Sequence, residues 1–294
     1  MIFIIIAIGF LISKKGILSD KARADITDIV LYVVLPCDIF SSFSKGISPD
    51  VLRQCGIVLV VSTGMHLMYT LLSKVLYVKI QPERREVAQY ATIISNSGFM
   101  GLPVIESVFG RTGLLYGSIV LIPLRVFMWT AGLSLFTRTA TREKVKTVAT
   151  HPCIWAVILG FVYLIVPFEL PGFLTATIET VGRCTTTLSM LVVGSLLSGV
   201  DLKSIADKDC FYYSFFRLIA IPALVFGVLL LLRVDHVVTG VATLSAAMPA
   251  ATVTAMLAEK YGRDAQFASK MLFVSTALSL VTLPIVARIL TTVL

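Results

Sequence analysis

The sequence predicts an all-α integral membrane protein of about ten transmembrane helices, arranged as two inverted five-helix repeats with broken crossover helices 4 and 9. The first observation is composition, because 57% of the 294 residues are hydrophobic, 14% are charged and the mean hydropathy is +0.92. Soluble domains carry about 25% charged residues, which excludes a soluble fold of this size. The second is that apolar runs of about 18 residues recur along the chain. The third is a pair of interrupted runs at matching places in the two halves.

The apolar runs divide the chain into ten segments. They span 1–13, 24–43, 50–77, 86–109, 112–137, 151–168, 174–199, 209–232, 236–260 and 264–292. The first is shorter than a hydrocarbon core requires, so we expect a partial first helix. Most lysines and arginines lie in the loops that follow the odd-numbered segments. This asymmetry predicts that those loops face the cytoplasm and that both termini lie outside the cytoplasmic membrane.

The segments group into two halves joined by a polar linker. Residues 1–137 form the first predicted repeat, 138–150 a basic cytoplasmic linker and 151–294 the second repeat. The net charge of +8 resides mainly in short loops between apolar runs. That distribution is typical of membrane topology, so we expect lipid as a partner and no nucleic acid.

The interrupted segments sit at repeat-related positions. The first holds Pro103 in "SNSGFMGLPVIE" (95–106), and the second holds Pro249 in "LSAAMPAATVTAMLAEKYG" (244–262). These prolines are 146 residues apart, close to half of the 294-residue chain, and a Gly-Arg pair follows each break. Because each half has an odd number of spans, the second copy must be inserted upside down. Such paired interruptions point to the binding site of a secondary transporter.

A helix broken inside a membrane exposes main-chain groups that a ligand can use. Free N–H groups remain where a half-helix starts, and free C=O groups remain where the preceding half ends. The N–H groups and the positive end of the helix dipole suit an anion. Asn96 adds a side-chain amide, while Gly98 and Gly101 allow a ligand to approach the backbone. The alternative is that these glycines and prolines merely kink the helices.

The same motifs carry a family resemblance. "SNSGFMGLPV", "AAMPAATVTAMLAEKYG" and "STALSLVTLPIV", together with "KKGILSD" and "VLPCDIFSSF", resemble the auxin efflux carrier family in its prokaryotic branch. The resemblance implies a homodimer in which helices 1, 2, 6 and 7 form a scaffold. Helices 3–5 and 8–10 would form a transport domain that moves like an elevator. Members carry organic anions: auxins in plants, and small carboxylates such as malonate or malate in some bacteria.

The resemblance also implies which residues line the pocket. They are Asn96, Met100, Gly101 and Pro103 in the first break and Pro249, Ala250 and Ala251 in the second, with Thr252 and Thr254 just beyond. Ser97 and Gly98 complete the candidate set. The chain departs from the usual family pattern at Arg125, at Asp38 and near Val253, where an asparagine is often found.

Charged residues inside the membrane are candidates for function because each is costly to insert. We expect Arg125, near the middle of segment five, to neutralise a substrate carboxylate. The alternatives are pairing with Asp38 or Glu106, or a clamp on backbone carbonyls. Asp38 and Glu106 are candidates for ion pairing or coupling. His66 is either a hydrogen-bonded core histidine or a proton relay.

Two further charged positions have structural interpretations. Arg217 lies about a third of the way into segment eight, where its side chain can snorkel to the cytoplasm. Glu179 and Arg183 are four residues apart on one helix and are expected to pair.

The motifs and charges leave three classes of function to consider. No HExxH, GxSxG or Walker motif is present, and the three histidines are too far apart for a metal site, so we expect neither an enzyme nor a cofactor. The leading hypothesis is a carrier of small organic anions such as mono- or dicarboxylates. A cation/proton exchanger of related build would need paired carboxylates at the crossing. A non-transporting membrane sensor would need a soluble output domain.

Overall fold

The computed structural model describes residues 2–43, 49–136, 152–165, 169–198 and 207–294. Within these ranges the regular structure is helical and contains no strand, which confirms the all-α class. Helices occur in each of the ten predicted segments, while their arrangement as inverted repeats stays a prediction. The linker 138–150 lies outside the described residues.

The helices are numbered in chain order. They are α1 (Ile2–Lys14), α2 (Asp20–Ile29), α3 (Leu35–Ser42), α4 (Pro49–Leu76), α5 (Pro82–Ile93), α6 (Leu102–Phe127), α7 (Leu133–Phe136), α8 (Pro152–Ile165), α9 (Gly172–Gly182), α10 (Cys184–Ser198), α11 (Lys208–Phe215), α12 (Ile221–Leu231), α13 (His236–Ala246), α14 (Thr252–Lys260) and α15 (Ala265–Val293). Within the described ranges four π-helical stretches adjoin them: Val30–Val34, Ser97–Gly101, Met128–Gly132 and Phe216–Ala220.

Several helical runs are suited to a membrane. Among the described residues four are long and apolar enough to cross it: Leu52–Leu76, Ser97–Phe136, Lys208–Leu231 and Ala265–Val293. The second of these, 40 residues long, is not one straight helix. Gly110 interrupts it with φ 63° and ψ −155°, a conformation that glycine adopts readily. The run therefore divides into two arms, which correspond to the predicted segments four and five.

Close glycine contacts join α1 and α3 to α9 and α10. A Cβ on Gly9 of α1 would collide with the main chain of Leu191 in α10, and a Cβ on Gly194 would collide with that of Ile6. Small residues let membrane helices approach this closely. Similarly, Gly182 of α9 lies against the main chain of Asp38 in α3.

A second group of helices is joined at one end by ion pairs. Arg84, in the first turn of α5, lies 3.1 Å from Asp207, 3.2 Å from Asp209 and 3.4 Å from Asp264. Asp207 and Asp264 are the N-cap residues of α11 and α15. Their carboxylates therefore satisfy helix N–H groups, offset the positive helix ends and bind Arg84 at once. This network ties together the starts of α5, α11 and α15.

Candidate functional site

The two interrupted segments meet each other through main-chain contacts. The first break separates α5 from the π-helical stretch Ser97–Gly101 that leads into α6, and the second separates α13 from α14. Ser95 and Ala250 form an isolated antiparallel β-bridge, and the Asn96 N–H donates to Pro249 O at 2.9 Å. The Ser97 hydroxyl donates to Ser245 O at 3.2 Å. The two breaks therefore form one structural unit, which we call the crossing (residues 94–101 and 247–252).

Most of the predicted pocket residues lie within the crossing and are buried. This holds for Asn96, Ser97, Gly98, Met100, Gly101, Pro249, Ala250 and Ala251. Pro103 lies in the first turn of α6 and is also buried. Thr252 begins α14, and Thr254 is fully buried two residues later. The Thr254 hydroxyl has no hydrogen-bond partner among the described residues.

Two helix N-termini converge at the crossing. The N–H groups of Met100 and Gly101 both donate to Asn96 O, at 3.1 and 3.0 Å. The N–H groups just before them, in Ser97 to Phe99, are those that a starting helix leaves unpaired. The α14 helix starts at Thr252 on the other side of the bridge. The crossing therefore presents two positive helix ends.

Asn96 is in a position to contribute its amide to the same place. It is 5% exposed, and its side chain makes no hydrogen bond within the described part of the chain. The amide therefore has donor and acceptor capacity that no described residue uses, and it lies beside two helix N-termini, where a ligand could reach it.

Arg125 approaches the crossing from α6. A Cβ placed on Gly98 would lie 3.7 Å from Arg125 Nη2, so the guanidinium faces the start of the Ser97–Gly101 stretch. Its Nη1 lies 3.7 Å from Met128 Sδ, and its buried Nε has no hydrogen-bond partner in the described residues. No carboxylate in those ranges pairs with it. A partly buried cation without a partner is costly and favours an anionic ligand.

The prediction that the side chain of Arg217 snorkels to the cytoplasm is wrong. It is fully buried, and it donates to Met248 O from Nε at 3.0 Å and to Thr92 O from Nη1 at 3.1 Å. The physical reason is that both broken helices leave carbonyls without partners near this arginine. The signal that sequence reasoning missed was the supply of unpaired carbonyls at the two predicted breaks.

The remaining charged candidates form ion pairs. Arg111, the residue after Gly110, lies 3.4 Å from Asp38 Oδ1 and 3.6 Å from Glu106 Oε1. The structure therefore gives both carboxylates Arg111 as a partner and not Arg125. Glu179 and Arg183 form the predicted pair at 3.5 Å.

His66 occupies a packed environment inside α4. It is 2% exposed, with Nδ1 2.7 Å from Ser62 O and the ring centroid 5.4 Å from that of Phe127. These contacts are those of a hydrogen-bonded core histidine.

Comparisons with known proteins show that the chain is similar to membrane transporters. The family model described as membrane transport protein matches residues 1–151 and 145–287. A protein of Methanocaldococcus jannaschii, named an uncharacterized transporter, is 24% identical over 293 residues, which cover 96% of this chain and 94% of the relative. Another uncharacterized transporter, from Methanothermobacter thermautotrophicus, is 27% identical over 297 residues, covering 97% of this chain and 94% of the relative. The family and these relatives are membrane transporters and not enzymes, and the apolar helices of this chain are those of a multi-pass membrane protein. With its apolar helices and a family match over nearly its whole length, this chain belongs to the auxin efflux carrier family of membrane transport proteins.

Proposed function

We propose that this transporter is a secondary carrier of small organic anions, with mono- or dicarboxylates as the substrate class. The observation that carries the proposal is the guanidinium of Arg125, which faces Gly98 at the crossing and has no carboxylate partner among the described residues. Two helix N-termini and the free amide of Asn96 lie at the same place. All four features favour one kind of ligand, an anion with oxygen acceptors.

Each group has a defined task in binding a carboxylate. One carboxylate oxygen accepts from Arg125, and the N–H groups at the start of the Ser97–Gly101 stretch donate to the other. Asn96 binds the part of the substrate beyond the carboxylate and so helps to discriminate between substrates, because its amide both donates and accepts hydrogen bonds. Gly98 keeps the backbone accessible, since a larger side chain there would stand between the arginine and these N–H groups.

Alternating access is proposed to be of the elevator type, in a homodimer. The glycine contacts that join α1 and α3 to α9 and α10 support a scaffold built from predicted helices 1, 2, 6 and 7. The Arg84 network and the crossing support a transport domain built from predicted helices 3–5 and 8–10. The inverted repeat gains support from Gly110 and Gly262, each of which follows a broken segment, with φ of 63° and 64°. Since the crossing residues are buried, substrate release requires a rearrangement around them.

The test uses purified protein in proteoliposomes and a panel of mono- and dicarboxylates. Charge movement on a solid-supported membrane detects electrogenic transport, and counterflow of a labelled carboxylate detects electroneutral exchange. We expect saturable transport of at least one carboxylate. Absence of transport for every anion by both methods, together with a sodium-evoked current, would overturn the proposal in favour of a cation exchanger.

Asn96→Ala tests where the substrate binds. Losing a hydrogen bond to a charged group costs about 1.5–3 kcal/mol, so we expect at least about a tenfold loss of apparent affinity with normal yield of folded protein. The matched control is Gln89→Ala, which removes a buried amide that donates to Ser73 O at 3.3 Å, away from the crossing. Equal affinities in wild type and Asn96→Ala would place the substrate elsewhere.

A further inference from the structure

Arg217 is a charged residue that the proposed anion site does not use. It lies in the π-helical stretch Phe216–Ala220 between α11 and α12, and none of its surface is exposed. Among the described residues no carboxylate pairs with it, although a buried charge normally needs compensation. The other contacts of Arg217 must therefore supply the negative charge that compensates its guanidinium.

Those contacts are the carbonyl ends of both broken helices. Nη1 donates to Thr92 O in the last turn of α5, and Nε donates to Met248 O just after α13. The neighbouring carbonyl at the end of α5, Ala91 O, accepts from the Tyr213 hydroxyl at 3.0 Å. The guanidinium carbon also lies 5.0 Å from the ring centroid of Tyr69, a cation–π contact.

The charges balance when the helix dipoles are counted. Each helix C-terminus carries roughly half a negative charge, so two of them together offset roughly one positive charge. A guanidinium bound to both ends is therefore neutralised without a carboxylate. In carriers with broken helices, unwound carbonyls and half-helix C-termini are also the groups that hold a transported sodium ion. Arg217 occupies the same kind of position from within the chain.

We propose that Arg217 is a resident cation: its guanidinium fills the carbonyl site at the crossing that a monovalent cation would otherwise occupy. It follows that substrate binding needs no sodium, and that removing the guanidinium creates a site for a small monovalent cation. The part that concerns substrate rests on the proposed function, because it describes the ion requirement of the same crossing. The prediction that removing the guanidinium creates a cation site does not depend on the proposed function.

The two arginines that approach the crossing, Arg217 and Arg125, have different roles. Arg217 uses Nε and Nη1 on carbonyls, which positions the C-terminal ends of α5 and α13, while its buried Nη2 has no hydrogen-bond partner among the described residues. Arg125 makes no such bonds in the described structure and remains available to a ligand. Arg217 is accordingly a positioning residue, and its loss should change ion dependence and not merely activity.

The first experiment measures thermal unfolding of Arg217→Ala in detergent without substrate. Lithium, sodium, potassium or guanidinium chloride at tens of millimolar is compared with choline chloride at equal ionic strength. A cation at ten times its Kd should raise the unfolding temperature of Arg217→Ala by about 3–5 °C. Wild type and the control Arg183→Ala, in which an exposed arginine is removed, should not respond. A folded Arg217→Ala that responds to none of these cations would overturn the proposal.

A second measurement does not depend on the variant folding. In wild type, binding of the best carboxylate should be equal in sodium, potassium and choline buffers, and a requirement for sodium would overturn the resident-cation role. Arg217→Lys, which keeps the charge, should bind without added cation, while Arg217→Ala should need one. If no carboxylate binds at all, the proposed function fails, and the cation response of Arg217→Ala still tests the resident cation.

Discussion

Arg125→Gln provides the sharpest test of the anion site. The substitution removes the positive charge and keeps a side chain that donates a hydrogen bond. Truncating one partner of a desolvated charge pair costs about 2–5 kcal/mol. Because Arg125 is only partly buried, the lower end applies, and about 2 kcal/mol corresponds to roughly 30-fold weaker binding.

The assay is direct binding to purified protein for a carboxylate substrate and its primary amide. The carboxylate should lose roughly 30-fold in affinity and the amide less than threefold, because only the carboxylate has a charge to pair. Arg183→Gln serves as the control, since the side chain of Arg183 is 71% exposed and pairs with Glu179. An equal loss for both ligands would assign Arg125 to packing and refute the countercharge.

The same interpretation of Arg125 also predicts how its substitution affects stability. In the described structure Arg125 has no carboxylate to leave behind, and its buried Nε lacks an acceptor. Removing it therefore strands no charge and removes an unsatisfied donor. The unfolding temperature of Arg125→Gln should equal or exceed that of wild type, and a marked drop would contradict an empty, ligand-ready guanidinium.

Two further predictions concern residues around Gly110. Arg111→Gln should destabilise the protein more than Asp38→Asn, by about 1–2 kcal/mol in chemical or thermal unfolding. The reason is that Asp38 has a 5% exposed side chain and Arg111 is its ion-pair partner among the described residues, whereas Arg111 is 46% exposed and keeps Glu106; equal losses would rule out this asymmetry. Gly110→Ala should cost about 1–3 kcal/mol, because φ 63° with ψ −155° is a backbone conformation essentially restricted to glycine. Gly56→Ala, at a helical position in α4 with open space around it, should be neutral or slightly stabilising, and similar costs for the two would show that the Gly110 backbone is not strained.

The position of the crossing was predictable from the sequence because proline and glycine leave a strong signal inside apolar runs. Pro103 and Pro249 located both interruptions to within a few residues of the breaks in the structure. All-α structure followed from hydropathy alone, since a helix satisfies its own backbone in lipid. These features depend on local chemistry, which a single sequence displays.

The partners of the charged residues were less predictable. Arg111 joins Asp38 and Glu106 only because the chain turns at Gly110 and returns Arg111 toward α3. The buried position of Arg217 depends on carbonyls from residues 125 and 31 positions away in the chain. Such pairings are set by tertiary geometry, and hydropathy gives no information about which carbonyl or carboxylate will be nearest.

The bond from the Asn96 N–H to Pro249 O has a consequence for how the family can diversify. The two halves of the chain are joined at this point by peptide groups, which every substitution except proline preserves. The side chains of Ala250 and Ala251 are therefore not needed to hold the halves together at this bond. Mutation can therefore alter the shape and polarity of the pocket while its frame persists, so relatives with one architecture are free to acquire different cargoes.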